Sequence, residues 1–113
     1  MAIEEINFRI SEKVDPLIEN YQSYTPPANS TVTIQQIVGE GAYTLNSEIR
    51  VVWDYNSENS EILWTIRGSG IFSNKIIIDS IKTDGNKVLA LVVDNGESNK
   101  LNISAHMTIL VET

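Results

Sequence analysis

Two alternating apolar runs on either side of a polar loop, in residues 48–68, constrain the fold of this 113-residue chain more than any other feature. A period of two over six or more residues is typical of a β-strand with one buried face. Residues 56–61 hold no apolar side chain, so the chain is expected to reverse there and form a β-hairpin. The alternating apolar positions are Ile49, Val51, Trp53 and Tyr55 in the first run and Ile62, Trp64 and Ile66 in the second.

The same alternation predicts how the two strands of this hairpin pair. Both strands should turn their apolar side chains to one face, because a slip of one residue moves every side chain to the other face. Trp53 and Trp64 are then expected to lie together in one core. The simplest register that meets this condition pairs Trp53 with Trp64, Val51 with Ile66, and Tyr55 with Ile62.

Composition indicates one acidic domain that has enough apolar residues for a core. Apolar residues make up 42% of the chain, and the net charge is −7. No basic stripe is present, so nucleic acid is not expected as a partner. No apolar run approaches the ~18 residues that span a bilayer, so membrane insertion is not expected either. The absence of cysteine removes disulfides, thiol catalysis and cysteine-based metal sites from consideration.

The first ten residues, MAIEEINFRI, carry acids where a signal peptide carries bases, and they lack its apolar core. The chain as given is therefore expected in the cytoplasm or assembled into a particle. A signal peptide that had been removed would leave no trace in this sequence.

The first 22 residues are predicted to form a short strand followed by a short helix. Asp15 and Pro16 fit the N-cap and the first position of that helix. An all-helical interpretation of residues 3–10 stays open, because isoleucines at positions 3, 6 and 10 also fit one helix face. The apolar positions are Ile6, Phe8 and Ile10 in the strand and Leu17, Ile18 and Tyr21 in the helix.

Pro26 and Pro27 separate this segment from a region without proline. Because proline cannot donate to a strand ladder, residues 31–113 are predicted to be a continuous β region. The run VLALVV in residues 88–93 is apolar on both faces, which predicts a central strand. The sequence therefore predicts an all-β fold: a single antiparallel β-sandwich, Ig-like or jelly-roll, of about seven to eight strands in residues 31–113. An N-terminal arm with a strand and a helix, residues 1–30, precedes it.

Candidate metal chemistry is confined to one loop. Asp54, Asn56, Glu58 and Glu61 carry side-chain oxygens of the kind that calcium prefers. The loop lacks the glycine of an EF-hand and joins strands, so a solvated hairpin loop is the plainer interpretation. His106 is the only histidine, and alternation predicts it on a polar sheet face. No catalytic site, cofactor or enzymatic activity is therefore expected.

The N-terminal arm carries too much apolar surface to remain in water and is too short to bury that surface on itself. It is therefore expected to dock on its own sandwich or on another subunit. Ile71 and Phe72, within a glycine-rich connection, either plug one end of the sandwich or project as a contact. The interaction candidates are Ile6, Phe8, Ile10, Leu17, Ile18, Tyr21, Ile71 and Phe72.

Two functional hypotheses follow from these patterns. The first is a non-enzymatic structural or assembly module, such as a virion or multisubunit component, that acts as a homo-oligomer or binds other protein subunits. The alternative is a lectin-like carbohydrate-binding module that uses loops 56–61 and 94–100. Solution mass and a glycan array distinguish the two hypotheses. The candidate glycan contacts are Asn56, Asn59, Asn95 and Glu97.

Overall fold

The computed structural model describes residues 3–41, 47–55, 57–67, 72–74, 81–82 and 87–113. These residues form nine strands, and none of them forms a helix long and apolar enough to cross a membrane. The predicted all-β fold is confirmed. The strands are β1 (Ile3–Val14), β2 (Glu19–Tyr24), β3 (Thr31–Gly41), β4 (Ser47–Trp53), β5 (Glu61–Arg67), β6 (Phe72–Asn74), β7 (Ile81–Lys82), β8 (Leu89–Asn95) and β9 (Leu101–Glu112).

Two antiparallel sheets pack against each other. The first sheet has the order β1-β9-β3-β6, with β7 also paired to β3, and the second has the order β2-β8-β4-β5. With β6 and β7 taken as one interrupted strand beside β3, the chain changes sheet at every connection except the β4–β5 hairpin. This connectivity is that of a jelly roll, which decides between the two predicted sandwich types.

The core lies between the two sheets and draws side chains from both. In β8, alternate residues face inward, and Ala90 and Val92 are buried on the opposite face beside Val52. β8 is central, as predicted, because it lies between β2 and β4. The largest wholly buried side chains are Phe8, Ile34, Ile37, Ile49, Leu89, Leu91, Ile103, Met107 and Ile109.

The described N-terminal residues are strands of the sandwich, and the predicted helix is wrong. β1 pairs with β9 along all twelve of its residues, and β2 pairs with β8. Between them, residues 15–18 form a turn in which Leu17 has a φ of 59°. This left-handed backbone reverses the chain after Pro16 where a helix would have continued it. The predicted arm therefore supplies one edge strand to each sheet.

The central hairpin forms, but its register differs from the predicted one. Leu63 is an additional residue in β5, opposite the step from Val51 to Val52, and it makes a β-bulge. The bulge lets both Leu63 and Trp64 pack against the core. Trp53 is buried as predicted, whereas Trp64 is only half-buried. The observed pairs are Ile49 with Ile66, Val51 with Trp64, Val52 with Ile62, and Trp53 with Glu61.

Strand β4 ends two residues earlier than the alternation predicts. Asp54 has a φ of 60°, and its N–H donates to the carbonyl of Val88 at 2.6 Å. This turn takes Tyr55 off the strand and over the outer face of the second sheet, where it packs beside Val52.

A buried asparagine joins the β1–β2 turn to the β8–β9 turn. Nδ2 of Asn95 donates to the carbonyls of Val14 at 2.9 Å, Asp15 at 3.2 Å and Asn99 at 2.8 Å. The N–H of Asn95 also donates to the carbonyl of Ile18 at 3.0 Å. One residue therefore provides partners for backbone groups that the fold removes from water.

Replacing Asn95 with alanine should lower the free energy of unfolding by about 2–4 kcal/mol, because buried carbonyls lose their donors. Asn99→Ala is the matched control, since its side chain is exposed and alanine keeps the carbonyl that Asn95 contacts. Urea unfolding should show little change in the control. An equal loss in both variants would contradict this role of Asn95.

Candidate functional site

The outer face of the second sheet brings acidic, basic and aromatic side chains together. Residues two apart on a strand share a face, so the pairing of β2, β8 and β4 sets two adjacent rows. The first row places Glu19, Asp94 and Glu48 side by side. The second row places Tyr21, Val92 and Arg50 beside them. Three neighbouring carboxylates repel one another unless a cation lies among them.

Arg50 provides that cation. Its Nη2 lies 2.6 Å from Oε2 of Glu19, and its Nη1 lies 2.9 Å from Oε1 of Glu48. The same Nη1 lies 3.5 Å from Oδ2 of Asp94. The Arg50 side chain is 16% exposed, so solvent screens these contacts less than it screens an ordinary surface ion pair. The cluster ties three strands together through one guanidinium.

Tyr55 completes the network from the β4–β5 loop. Its hydroxyl donates to Oε1 of Glu19 at 2.8 Å, and its ring lies 4.8 Å from that of Tyr21 at an angle of 49°. The Glu19 carboxylate therefore receives Arg50 on one oxygen and Tyr55 on the other. The hydrogen bond of Tyr55 to Glu19 and its ring contact with Tyr21 hold the loop against the sheet.

Proton affinities in this network are set by burial and by these hydrogen bonds. Burial raises the pKa of Glu19, but hydrogen bonds from Arg50 and Tyr55 outweigh it and leave that pKa below its ordinary value. Burial, with the neighbouring Glu19 carboxylate, raises the pKa of Tyr55 to about 12. Burial acts to lower the pKa of Arg50, whereas its bonds to Glu19 and Glu48 raise it above its ordinary value. At neutral pH these three groups keep fixed protonation states, which suits positioning rather than proton transfer.

A groove of about 360 Å³ lies on this outer face. Its floor includes Val52, which is buried, and its rim includes Ile62, which is 59% exposed. We call this feature the outer groove. It is lined by Glu19, Arg50, Val52, Tyr55, Ser57, Ser60 and Ile62.

Two large aliphatic side chains project from the β1–β2 turn beside this face. Leu17 is 73% exposed and Ile18 is 49% exposed. The backbone of Ile18 is fixed on both sides: its N–H donates to Asp15, and its carbonyl accepts from Asn95. We call Leu17 and Ile18 the apolar tip. Its side chains are exposed, and the backbone of Ile18 is hydrogen-bonded through both its N–H and its carbonyl.

The predicted interaction residues divide by exposure. Leu17, Ile18 and Tyr21 are exposed. Phe8 and Ile10 are buried in the core of their own chain, so they are not available to another subunit. Ile6 is half-buried against that core, Ile71 lies outside the described residues, and Phe72 begins β6 with a side chain outside the description.

The calcium prediction gains no support from the described residues. Oδ2 of Asp54 accepts a hydrogen bond from Oγ of Ser57 at 3.1 Å, and Glu58 and Glu61 are exposed. Within the described ranges, no group of three or more histidine, cysteine, aspartate or glutamate side chains is placed to hold a metal ion. Asn56 lies outside those ranges, so the calcium site stays a prediction.

The two loops of the lectin-like hypothesis attach at opposite ends of the second sheet. β4 and β8 pair Trp53 with Leu89 at one end and Ser47 with Asn95 at the other. Six residue steps separate these ends, which is about 20 Å. The structure therefore does not bring the attachment points of loops 56–61 and 94–100 together.

The candidate glycan contacts differ in availability. Asn95 is buried, its Nδ2 contacts three carbonyls, and its Oδ1 accepts the N–H of Glu97 at 3.0 Å. This placement removes Asn95 from the candidate glycan contacts. Glu97 is half-buried, Asn59 is exposed, and Asn56 lies outside the description.

Sequence reasoning missed the cluster around Arg50. The available signal was the opposite charge of Glu48 and Arg50 two positions apart, which places both on one strand face. Their partners Glu19 and Asp94 are 31 and 44 residues from Arg50 along the chain, so only the observed strand order reveals them.

No protein-family model matches the sequence, and neither does any curated protein. Among solved structures, the chain is similar to a chain in the structure of the infectious bursal disease virus Gx strain, with 9% identity and a TM-score of 0.37. The similarity covers 96% of this chain and 32% of that one, so this chain spans about a third of the other. A likeness at this TM-score carries no weight for the function of this chain.

Arg50→Met should lower the free energy of unfolding at pH 7 by about 2 kcal/mol, because three carboxylates lose their shared cation. The pKa of Glu19 lies below its ordinary value of 4.5, so its stabilising contribution is present above that pH. The contribution is lost as the pH falls through the lowered pKa. The difference between wild type and variant should therefore shrink towards pH 3.

Urea unfolding at pH 7 and at pH 3 measures this difference. Arg9→Met is the matched control, because it removes the same charge from an exposed position on the other sheet. A loss that is as large at pH 3 as at pH 7, or an equal loss in the control, would refute the electrostatic role of Arg50.

Proposed function

We propose that this chain is a non-enzymatic structural module that self-associates and serves as a building block of a particle or multisubunit complex. The observation that carries this proposal is the apolar tip. Leu17 and Ile18 are adjacent, large and aliphatic, and they are 73% and 49% exposed. Contiguous exposed apolar side chains on a folded protein mark contact sites.

Backbone strain at Leu17 supports a role for its side chain. A leucine with a φ of 59° costs about 1–2 kcal/mol, whereas glycine adopts this conformation without that penalty. The side chain is also too exposed to repay this cost by packing within its own chain. A contact with another subunit gives Leu17 a function that glycine does not supply.

Rigid presentation of the tip also favours binding. The hydrogen bonds of Ile18 to Asp15 and from Asn95 fix the turn before any partner arrives. A fixed backbone loses little conformational entropy on association. More of the free energy gained by burying apolar area therefore contributes to affinity. The tip is thus suited to insert into a complementary surface.

The lectin-like alternative has less support from the same structure. Its two loops attach about 20 Å apart, at opposite ends of the second sheet, and the Asn95 side chain is buried within the fold. Jelly rolls occur in capsid and in lectin domains alike, so the fold itself does not choose between them. A silent glycan array combined with a stable oligomer favours the structural role.

Sedimentation velocity at tens of micromolar tests self-association. The wild-type chain should sediment as an oligomer, and Leu17→Asp should shift it to monomer because a carboxylate at the tip opposes burial. Ile3→Asp is the matched control: it is also an exposed aliphatic residue, and it lies about 35 Å away at the other end of β1.

The control should keep the wild-type mass. A monomeric wild-type chain would end the self-association proposal, and an oligomer insensitive to Leu17→Asp would move the contact away from the tip. Truncation of residues 1–24 is not a suitable test, because it removes an edge strand from each sheet.

A further inference from the structure

We infer that the apolar tip of one copy docks in the outer groove of a second copy. This inference rests on the proposed self-association and names the surface that receives the tip. The tip supplies two aliphatic side chains, Leu17 and Ile18, and the groove supplies an apolar floor at Val52 with exposed Ile62 at its rim. Each feature leaves apolar surface in water that the other would cover.

The groove is large enough to receive the tip. A cavity of about 150 Å³ accommodates a benzene molecule with its six carbons. The outer groove has about 360 Å³, which leaves room for the eight side-chain carbons of one leucine and one isoleucine.

Charges at the two features are also complementary. Lys100 lies beside the tip, with its Nζ 3.4 Å from Oδ1 of Asp15, and both side chains are 64% exposed. The groove ends at Glu19, whose side chain is 39% exposed and whose carboxylate is ionised at neutral pH. An ammonium has three donors, so Lys100 can keep Asp15 and also reach a carboxylate at the rim of the partner.

The closeness of the tip and the groove along the chain favours a contact in which each copy provides both features. Ile18 directly precedes Glu19, which lines the groove, so the two features are neighbours along the chain. A two-fold axis can therefore place each tip in the groove of the other copy. Isologous contacts of this kind close the assembly as a dimer.

Cysteine cross-linking tests this contact directly, because the chain has no cysteine of its own. Leu17→Cys and Ile62→Cys chains are mixed under mild oxidation, and disulfide-linked dimers are followed over time on non-reducing gels. The mixture should form the mixed disulfide at least tenfold faster than a mixture of Ile3→Cys with Ile62→Cys. The Ile3 variant carries an equally exposed thiol at a position outside the proposed contact.

A mixed-disulfide rate no higher than that of the Ile3 control overturns the tip-in-groove contact. If the wild-type chain still sediments as an oligomer, that result removes this contact alone and leaves the proposed function standing. If the wild-type chain is monomeric, the proposed self-association and this inference fail together.

Discussion

The buried side chain of Asn95 is the contact on which the β1–β2 turn, and with it the apolar tip, depends. Two edge strands, β1 and β2, meet at the four-residue turn of residues 15–18. Asn95 contacts this turn at Val14, Asp15 and Ile18, and joins it to the β8–β9 turn at Asn99. Asn95 therefore helps to hold the turn that exposes Leu17 and Ile18.

The outer groove depends on a second set of polar side-chain contacts. Strand pairing places three carboxylates in one row, and Arg50 offsets their mutual repulsion by contacting all of them. Glu19 then binds Tyr55 and draws the β4–β5 loop over the sheet, which gives the groove its wall. In both places, side-chain hydrogen bonds position an apolar surface that remains exposed to water.

Alternation predicted the strands because a single buried face imposes a period of two, and it predicted a central β8 from apolar residues on both faces. It failed at the hairpin register, because Ile62, Leu63 and Trp64 are all apolar and give no sign of which residue is bulged. It failed at residues 15–18 because an aspartate followed by Pro16 begins a turn as readily as a helix. The full cluster around Arg50 could not be predicted, since its partners Glu19 and Asp94 lie on other strands whose order only the jelly-roll topology reveals.

We propose that the left-handed backbone of Leu17 lowers the stability of the single chain, and that its side chain stabilises contact between chains. Urea unfolding of wild type and Leu17→Gly at two protein concentrations, 1 and 100 µM, tests it most directly. The wild-type midpoint should rise with concentration because association stabilises the folded state. The midpoint of Leu17→Gly should not depend on concentration and should exceed the wild-type midpoint at 1 µM, because glycine relieves the left-handed strain. A Leu17→Gly chain that is less stable than wild type at 1 µM, or whose midpoint still rises with concentration, would contradict the account.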